Sequence, residues 1–281
     1  MIAPIENRQQ IMAGYVCTIA GGKGGVGKTT TAVNVGAGLQ ELGYDVAVVD
    51  ADLGMANLGS MLSVEPDRSV HEILSGNAAV SEALTDAPGG LTVIAGEQSL
   101  DAFADADPAK LRKVIKTLRA AYDVVIIDTG AGLSHEVAVP LGLADGIVLV
   151  TTPDEVAVGD TAKTAQLADR IDGNVIGGII NRVTRHTDVA EINDRLDFPL
   201  LAVIPDDPQA THEEPLVRNE PESPAADAYF RLTEALEGVF FESDTAEADL
   251  DTIVDDSWFL EEDETTDTDE EDSGGVFGLF N

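Results

Sequence analysis

Seven apolar runs punctuate the chain: Tyr15–Ala20, Asp45–Val49, Leu91–Ala95, Asp123–Ile127, Gly146–Val150, Val175–Ile180 and Leu200–Ile204. Several are nearly unbroken Val, Ile and Leu. A strand with one wet face would alternate, so these runs predict strands covered on both faces of a parallel sheet. Stretches of helical period lie between them, among them Thr31–Leu42 and Pro108–Tyr122. In the latter, Leu111, Val114, Ile115 and Leu118 share a face, with Lys110, Arg112, Lys113 and Lys116 between them. Asp107 is placed to cap that helix, and Pro108 suits its first position. Strands alternating with helices predict an α/β, doubly wound, mainly parallel sheet flanked by helices, with ligands at the carboxyl ends of the strands.

The first of those ends carries the strongest chemical signal. Between Ala20 and the helical stretch lies Gly21-Gly22-Lys23-Gly24-Gly25-Val26-Gly27-Lys28-Thr29-Thr30. Gly22 to Thr29 fits G-x-x-x-x-G-K-S/T in the strand–loop–helix setting that this phosphate-binding loop requires. Glycines let the backbone turn its N–H groups onto phosphate oxygens, and the helix start adds its positive dipole end. Lys28 is expected to reach the outer phosphates and the Thr29 hydroxyl to ligate Mg²⁺. Two further strand ends bear carboxylates: Asp50-Ala51-Asp52 after Val46–Val49, and Asp128 after Val124–Ile127. The first pair would by itself also suit a turn or a helix cap. Paired with a phosphate loop, Asp128 reads as the carboxylate facing the Mg²⁺ beside Thr29.

Lys23 is a second lysine inside the loop, and K-G-G-x-G-K-T-T resembles the deviant phosphate loop of the MinD/ParA family of ATPases, closest to its MinD-like members. The resemblance covers roughly residues 14 to 241 in five ordered motifs. It implies ATP and Mg²⁺ as cofactors, with Gly22, Lys23, Gly24, Gly25, Val26, Gly27, Lys28, Thr29 and Thr30 forming the phosphate site. Lys23 would reach across a nucleotide-sandwiched homodimer to the partner's phosphates. Asp50-Ala51-Asp52-Leu53-Gly54-Met55-Ala56-Asn57-Leu58 is similar to the family's first switch. There Asp52 positions or activates the attacking water, Asp50 supports the magnesium network together with Thr29 and Asp128, and Asn57 belongs to the dimer face. Thr129-Gly130-Ala131-Gly132-Leu133 stands where relatives usually carry a proline before Ala-Gly, and Gly130 should loosen this second switch. By the same resemblance Asn181, ending Ile179-Ile180-Asn181-Arg182-Val183, reads adenine, although an asparagine there would also suit a strand-end turn. Val203-Ile204-Pro205-Asp206 is similar to the family's base-enclosing loop, assigned here to Pro205 and Asp206.

The implied function is an ATP-dependent dimerisation switch that slowly hydrolyses ATP to ADP and phosphate and positions a cellular structure: a division site, or a motility or chemosensory assembly. The alternatives are a ParA-like DNA-partitioning ATPase and a nucleotide-binding scaffold that does not turn over. Net charge is −36, from 52 acidic and 16 basic residues. Sixteen of the acids fall in 242–272, which has no basic residue, so the rest of the chain carries −20. This argues against free nucleic acid as a partner. Such an acid excess, with only six lysines, looks like adaptation to high salt, where self-repulsion is screened, and suggests a halophilic archaeon. Cys17 is the only cysteine, which excludes a disulfide or a cysteine-held cluster within one chain and predicts a small buried residue. His71, His135, His186 and His212 show no ligand spacing and are expected to be solvated or structural.

The domain reading is a flexible extension over 1–13, an ATPase domain over 14–241 and an acidic disordered tail over 242–281. The tail is interrupted by Trp258-Phe259-Leu260 and ends in Val276-Phe277-Gly278-Leu279-Phe280. This tip carries aromatics but no basic residue, so disorder is favoured over docking to a protein partner, and both over membrane insertion. No run approaches the ~18 apolar residues of a membrane span. The chain is expected to be cytoplasmic, with peripheral placement at a membrane or cell pole as a secondary expectation.

Overall fold

The computed structural model describes residues 13–207 and 213–242. Their strands are β1 (Tyr15–Ala20), β2 (Val46–Ala51), β3 (Thr85–Asp86), β4 (Thr92–Ile94), β5 (Val124–Thr129), β6 (Gly146–Thr151), β7 (Val175–Val183) and β8 (Leu200–Pro205). They form one sheet in the order β3-β4-β2-β5-β1-β6-β7-β8. Every pairing is parallel except the short antiparallel β3–β4 contact. The α/β, doubly wound architecture expected from the apolar runs is therefore present, with all seven expected strands shifted by at most a few residues. The eighth, β3, is two polar residues at the sheet edge and has no apolar signature to reveal it.

The helices are α1 (Lys28–Glu41), α2 (Leu58–Met61), α3 (Val70–Ser75), α4 (Leu100–Asp105), α5 (Leu111–Leu118), α6 (His135–Leu141), α7 (Glu155–Arg170), α8 (Val189–Asn193), α9 (Leu216–Asn219) and α10 (Pro224–Glu237). Successive residues of one strand supply opposite cores. Val124 and Ile126 pack with Val33, Leu39, Tyr229 and Leu232 of α1 and α10, whereas Val125 and Ile127 pack with Val114, Ile115 and Leu118 of α5. Two apolar layers leave a central strand no polar face, which is why β5 reads as an unbroken run. Cys17 is fully buried in the first of these cores.

Residues 108–122 do not form one continuous helix. A 3₁₀ turn at Pro108–Lys110 precedes α5, and the Leu118 carbonyl accepts from the N–H groups of Ala121 and Tyr122, closing the helix before β5. Asp107 caps that turn, its Oδ1 accepting from the Ala109 N–H at 3.1 Å. At the amino end of the sheet, Phe240 stacks on Tyr15 and Phe241 on Tyr44, with ring centroids 4.2 and 4.4 Å apart. The described chain therefore ends on the side opposite the phosphate loop. Both the N-terminal extension and the acidic tail with its apolar tip lie essentially outside the described residues. Among those residues, no helix is long and apolar enough to cross a membrane.

Candidate nucleotide site

The carboxyl ends of β1, β2 and β5 open into a cleft of about 940 Å³. Its floor is the loop from β1 to α1. Gly25 and Gly27 take φ of 78° and 100°, values that L side chains rarely adopt. A Cβ on Gly27 would also collide with Nδ2 of Asn181, which donates to the Val26 carbonyl at 2.9 Å. The expected loop ends earlier than its motif suggests, because Lys28, Thr29 and Thr30 already form the first turn of α1. That turn has no side-chain cap and no acidic residue. A helix starting with a lysine and bare N–H groups concentrates positive charge at its positive end, and an anion is the partner that relieves it. Lys28 is largely buried, which pulls its ammonium pKa down against the opposing effect of Asp128 and Asp52. Its Nζ donates to the Lys23 carbonyl at 3.4 Å.

Asp50 and Asp128 face each other in register on β2 and β5 and are both fully buried. Burial pushes the Asp50 carboxyl up to about 6 even though three backbone N–H groups favour its ionised form. Asp128 is raised well above the carboxylate range by burial and then by Asp50, with Thr29 and Lys28 opposing. Asp50 is saturated: Oδ1 accepts from the Asp52 N–H at 3.1 Å, and Oδ2 from those of Asn57 and Leu58 at 3.2 Å each. It therefore ties down the loop after β2 rather than facing the cleft with a bare oxygen. Asp128 Oδ2 accepts from the Thr29 hydroxyl at 2.6 Å, while its Oδ1 is buried without a partner. An unpaired buried acceptor is costly, and a cation beside Thr29 would satisfy it. No group of three His, Cys, Asp or Glu side chains among the described residues could hold a metal alone. Mg²⁺ takes one or two protein ligands plus phosphate and water, and Thr29 with Asp128 offers such a pair.

The walls of the cleft are the 52–58 and 130–134 segments. Asp52 is half-buried, with Oδ1 accepting from the Met55 N–H at 3.0 Å. A Cβ on Gly130 would come within 3.0 Å of that same oxygen, so Gly130 makes room for the Asp52 carboxylate. Asn57 Oδ1 lies 3.0 Å from the Thr29 hydroxyl, directing this amide into the site. On the far side, Arg182 adopts φ 60°, and its N–H turns back onto Asn181 Oδ1 at 2.9 Å, fixing the amide's orientation. Pro205 ends β8 beside Val183, and the exposed Asp206 donates its N–H to the Val183 carbonyl at 2.8 Å.

Lys23 is half-buried and pairs within its own chain: Nζ donates to Asp154 Oδ1 at 2.8 Å. Asp154 also caps α7, accepting from the Ala157 N–H. Its acidity is enhanced chiefly by the Lys23 hydrogen bond. Asp154 escaped the sequence reading because β6 ends three residues earlier, at Thr151, in a threonine and not a carboxylate. His71 was expected to be solvated or structural; it is buried, with both ring nitrogens engaged near the cleft.

A family model described as an AAA domain matches residues 14–174. An uncharacterised ATP-binding protein of Methanocaldococcus jannaschii is 35% identical over 233 residues, covering 80% of this chain and 88% of its own length. The chain belongs to the MinD/ParA family of P-loop ATPases. Among solved structures, the septum site-determining protein MinD of Pyrococcus horikoshii, complexed with Mg-ADP, superposes with a TM-score of 0.76. It is 33% identical and covers 82% of this chain and 98% of its own. The MinC:MinD cell division complex of Aquifex aeolicus follows at TM-score 0.71 and 27% identity, covering 80% and 96%.

Proposed function

We propose that this MinD-like protein is a Mg²⁺-dependent ATPase that works as a dimerisation switch and positions a cellular structure. The observation that carries this reading is the bare Oδ1 of Asp128 beside Thr29, at the foot of a helix whose uncapped start holds a buried lysine. Lys28 and the backbone amides from Gly22 through Thr30 hold the phosphates. Thr29 and Asp128 would hold Mg²⁺, with Asp50 behind them keeping the loop in register. When bound, Mg²⁺ supplies charge neutralisation at the phosphate oxygens. Asp52 faces the γ-phosphate and orients the attacking water. Asn181 keeps a second amide hydrogen for adenine after its bond to Val26, and Pro205 and Asp206 enclose the base.

The rim of the cleft supports a closing face. Met55, Leu100, Leu133 and Val156 are exposed at 76, 87, 53 and 59%, and each belongs to a segment bordering the cleft or the Lys23–Asp154 pair. Exposed apolar side chains on a cleft rim offer surface that a partner can cover. In the ATP-bound homodimer Lys23 exchanges Asp154 for the partner's phosphates, and hydrolysis reopens the pair. Positioning is the output recorded in the name of the septum site-determining relative, and the effector is a protein partner, as MinC is in the Aquifex complex. The apolar tip of the tail would serve as a second docking element.

Hydrolysis and light scattering test this together. Wild-type protein should hydrolyse ATP only with Mg²⁺ and dimerise with ATP. Lys23→Ala should stay monomeric while binding ATP within about threefold of wild type, and Asp52→Ala should accumulate as the ATP-bound dimer. An unchanged dimer in Lys23→Ala would remove the trans role of that lysine.

A further inference from the structure

Asp52 is bracketed by two side chains that the phosphate-loop motif does not contain. Its own N–H is held by Asp50 Oδ1. The carbonyl of the next residue, Leu53, lies 2.9 Å from Nε2 of His71. The other ring nitrogen, Nδ1, faces the Glu97 N–H at 3.3 Å. An N–H can only donate, so Nδ1 is the acceptor, and Nε2 then carries the proton that it gives to Leu53. The ring is 1% exposed and wedged between the 52–58 loop and the segment after β4. Gly96 presses on both: a Cβ there would come within 2.5 Å of the Ala56 Cβ and 3.3 Å of His71 Cε1.

We propose that His71 is a positioning residue for ATP hydrolysis, holding the Leu53–Gly54 peptide so that the Asp52 carboxylate, one residue earlier, keeps its place opposite the γ-phosphate. The mounting of the ring is stiff. Helix α3 starts with a capping box, in which Ser69 Oγ accepts from the Glu72 N–H and Glu72 Oε2 from the Ser69 N–H. The Val70 N–H ties that turn to the Ala95 carbonyl at the end of β4. A side chain fixed to the sheet therefore holds a peptide in the loop that forms one wall of the site. Gln98 repeats the device four residues from Asp52, its Nε2 donating to the Ala56 carbonyl at 2.8 Å. Misplacement of a reacting group by a fraction of an ångström is costly to rate and cheap for binding. The effect of losing this tether therefore falls on kcat.

This inference rests on the reading of Asp52 as the water-facing group, and two isosteric variants separate them. In His71→Gln an amide nitrogen sits near the position of Nε2 and can donate to Leu53. His71→Asn places an acceptor near Nδ1 but reaches no farther. Single-turnover hydrolysis, fluorescent-ATP binding, thermal midpoint and hydrogen exchange over 51–58 are measured for both. His71→Gln should keep kcat within about threefold of wild type, whereas His71→Asn should lose about ten- to thirtyfold with ATP affinity changed by about threefold or less. Exchange over 51–58 should rise about tenfold in His71→Asn alone. Equal kcat and equal exchange in the two variants would overturn the proposal, as would a kcat loss that simply follows the thermal midpoint. Absence of hydrolysis in the wild type would overturn the reading of Asp52, and the exchange comparison would still decide whether His71 holds the loop.

Discussion

Asp50 and Asp128 are the same residue type, on adjacent strands, in register and equally buried, yet they are finished in opposite ways. Three backbone N–H groups converge on Asp50, and all three come from the segment that follows it. Asp128 receives one hydroxyl and keeps one oxygen bare. A carboxylate whose lone pairs are used by its own backbone is a structural device: it buys loop geometry. One left half-satisfied in the interior is held there by packing and keeps an acceptor that a further partner could fill. Position in the sheet does not separate the two roles. The chain that follows each aspartate does, since the turn after Asp50 folds back over the carboxylate while the 130–134 segment leads away from Asp128 to α6.

This contrast is most sharply broken by substitution. Asp128→Ala should cut Mg²⁺-dependent ATP hydrolysis by about a thousandfold, equivalent to about 4 kcal/mol in the barrier. It should leave chemical denaturation within about 1 kcal/mol of wild type, because an unsatisfied buried carboxyl is removed along with its contacts. The converse holds for Asp50→Ala, which strands three N–H groups and should cost about 2–3 kcal/mol in the same denaturation measurement. If the two variants behave alike in both assays, the division of roles fails. Gly130→Ala tests the space beside Asp52: the added Cβ pushes on the carboxylate and should lower kcat about three- to tenfold with ATP affinity nearly unchanged in fluorescence titration. The smallest effect is expected for Asp154→Asn. Asparagine still caps α7 while the charge facing Lys23 is lost. ATP-dependent dimerisation followed by light scattering should tighten by about threefold or less.

Much of this molecule was legible because the relevant signals are local. Central strands buried on both faces write themselves as unbroken apolar runs. The phosphate loop must place glycine at Gly25 and Gly27, and a lysine and a threonine just after, whatever the rest of the fold does. Asp128 stood out for a similar reason: a carboxylate near the end of an otherwise apolar run, one residue before the close of β5, is a local signal. Strand β3 was not legible, since two polar edge residues bury nothing. Asp50 was legible as a carboxylate at a strand end, but not its hydrogen bonds, which depend on where the amides of Asp52, Asn57 and Leu58 turn. Lys23 was recognisable as unusual, but its pairing with Asp154 spans 131 positions and leaves no trace in either local pattern.

By itself, then, the sequence determined the α/β architecture, the strand order's raw material and the phosphate chemistry, because periodicity and glycine placement act over a few residues. Only the tertiary structure decided which carboxylate is saturated and which is open, what Gly130 makes room for, and that a buried histidine grips the peptide beside Asp52. Those facts are set by the meeting of segments distant along the chain. A hydrogen bond between distant segments depends on how the chain packs, and residue type alone does not specify the partner.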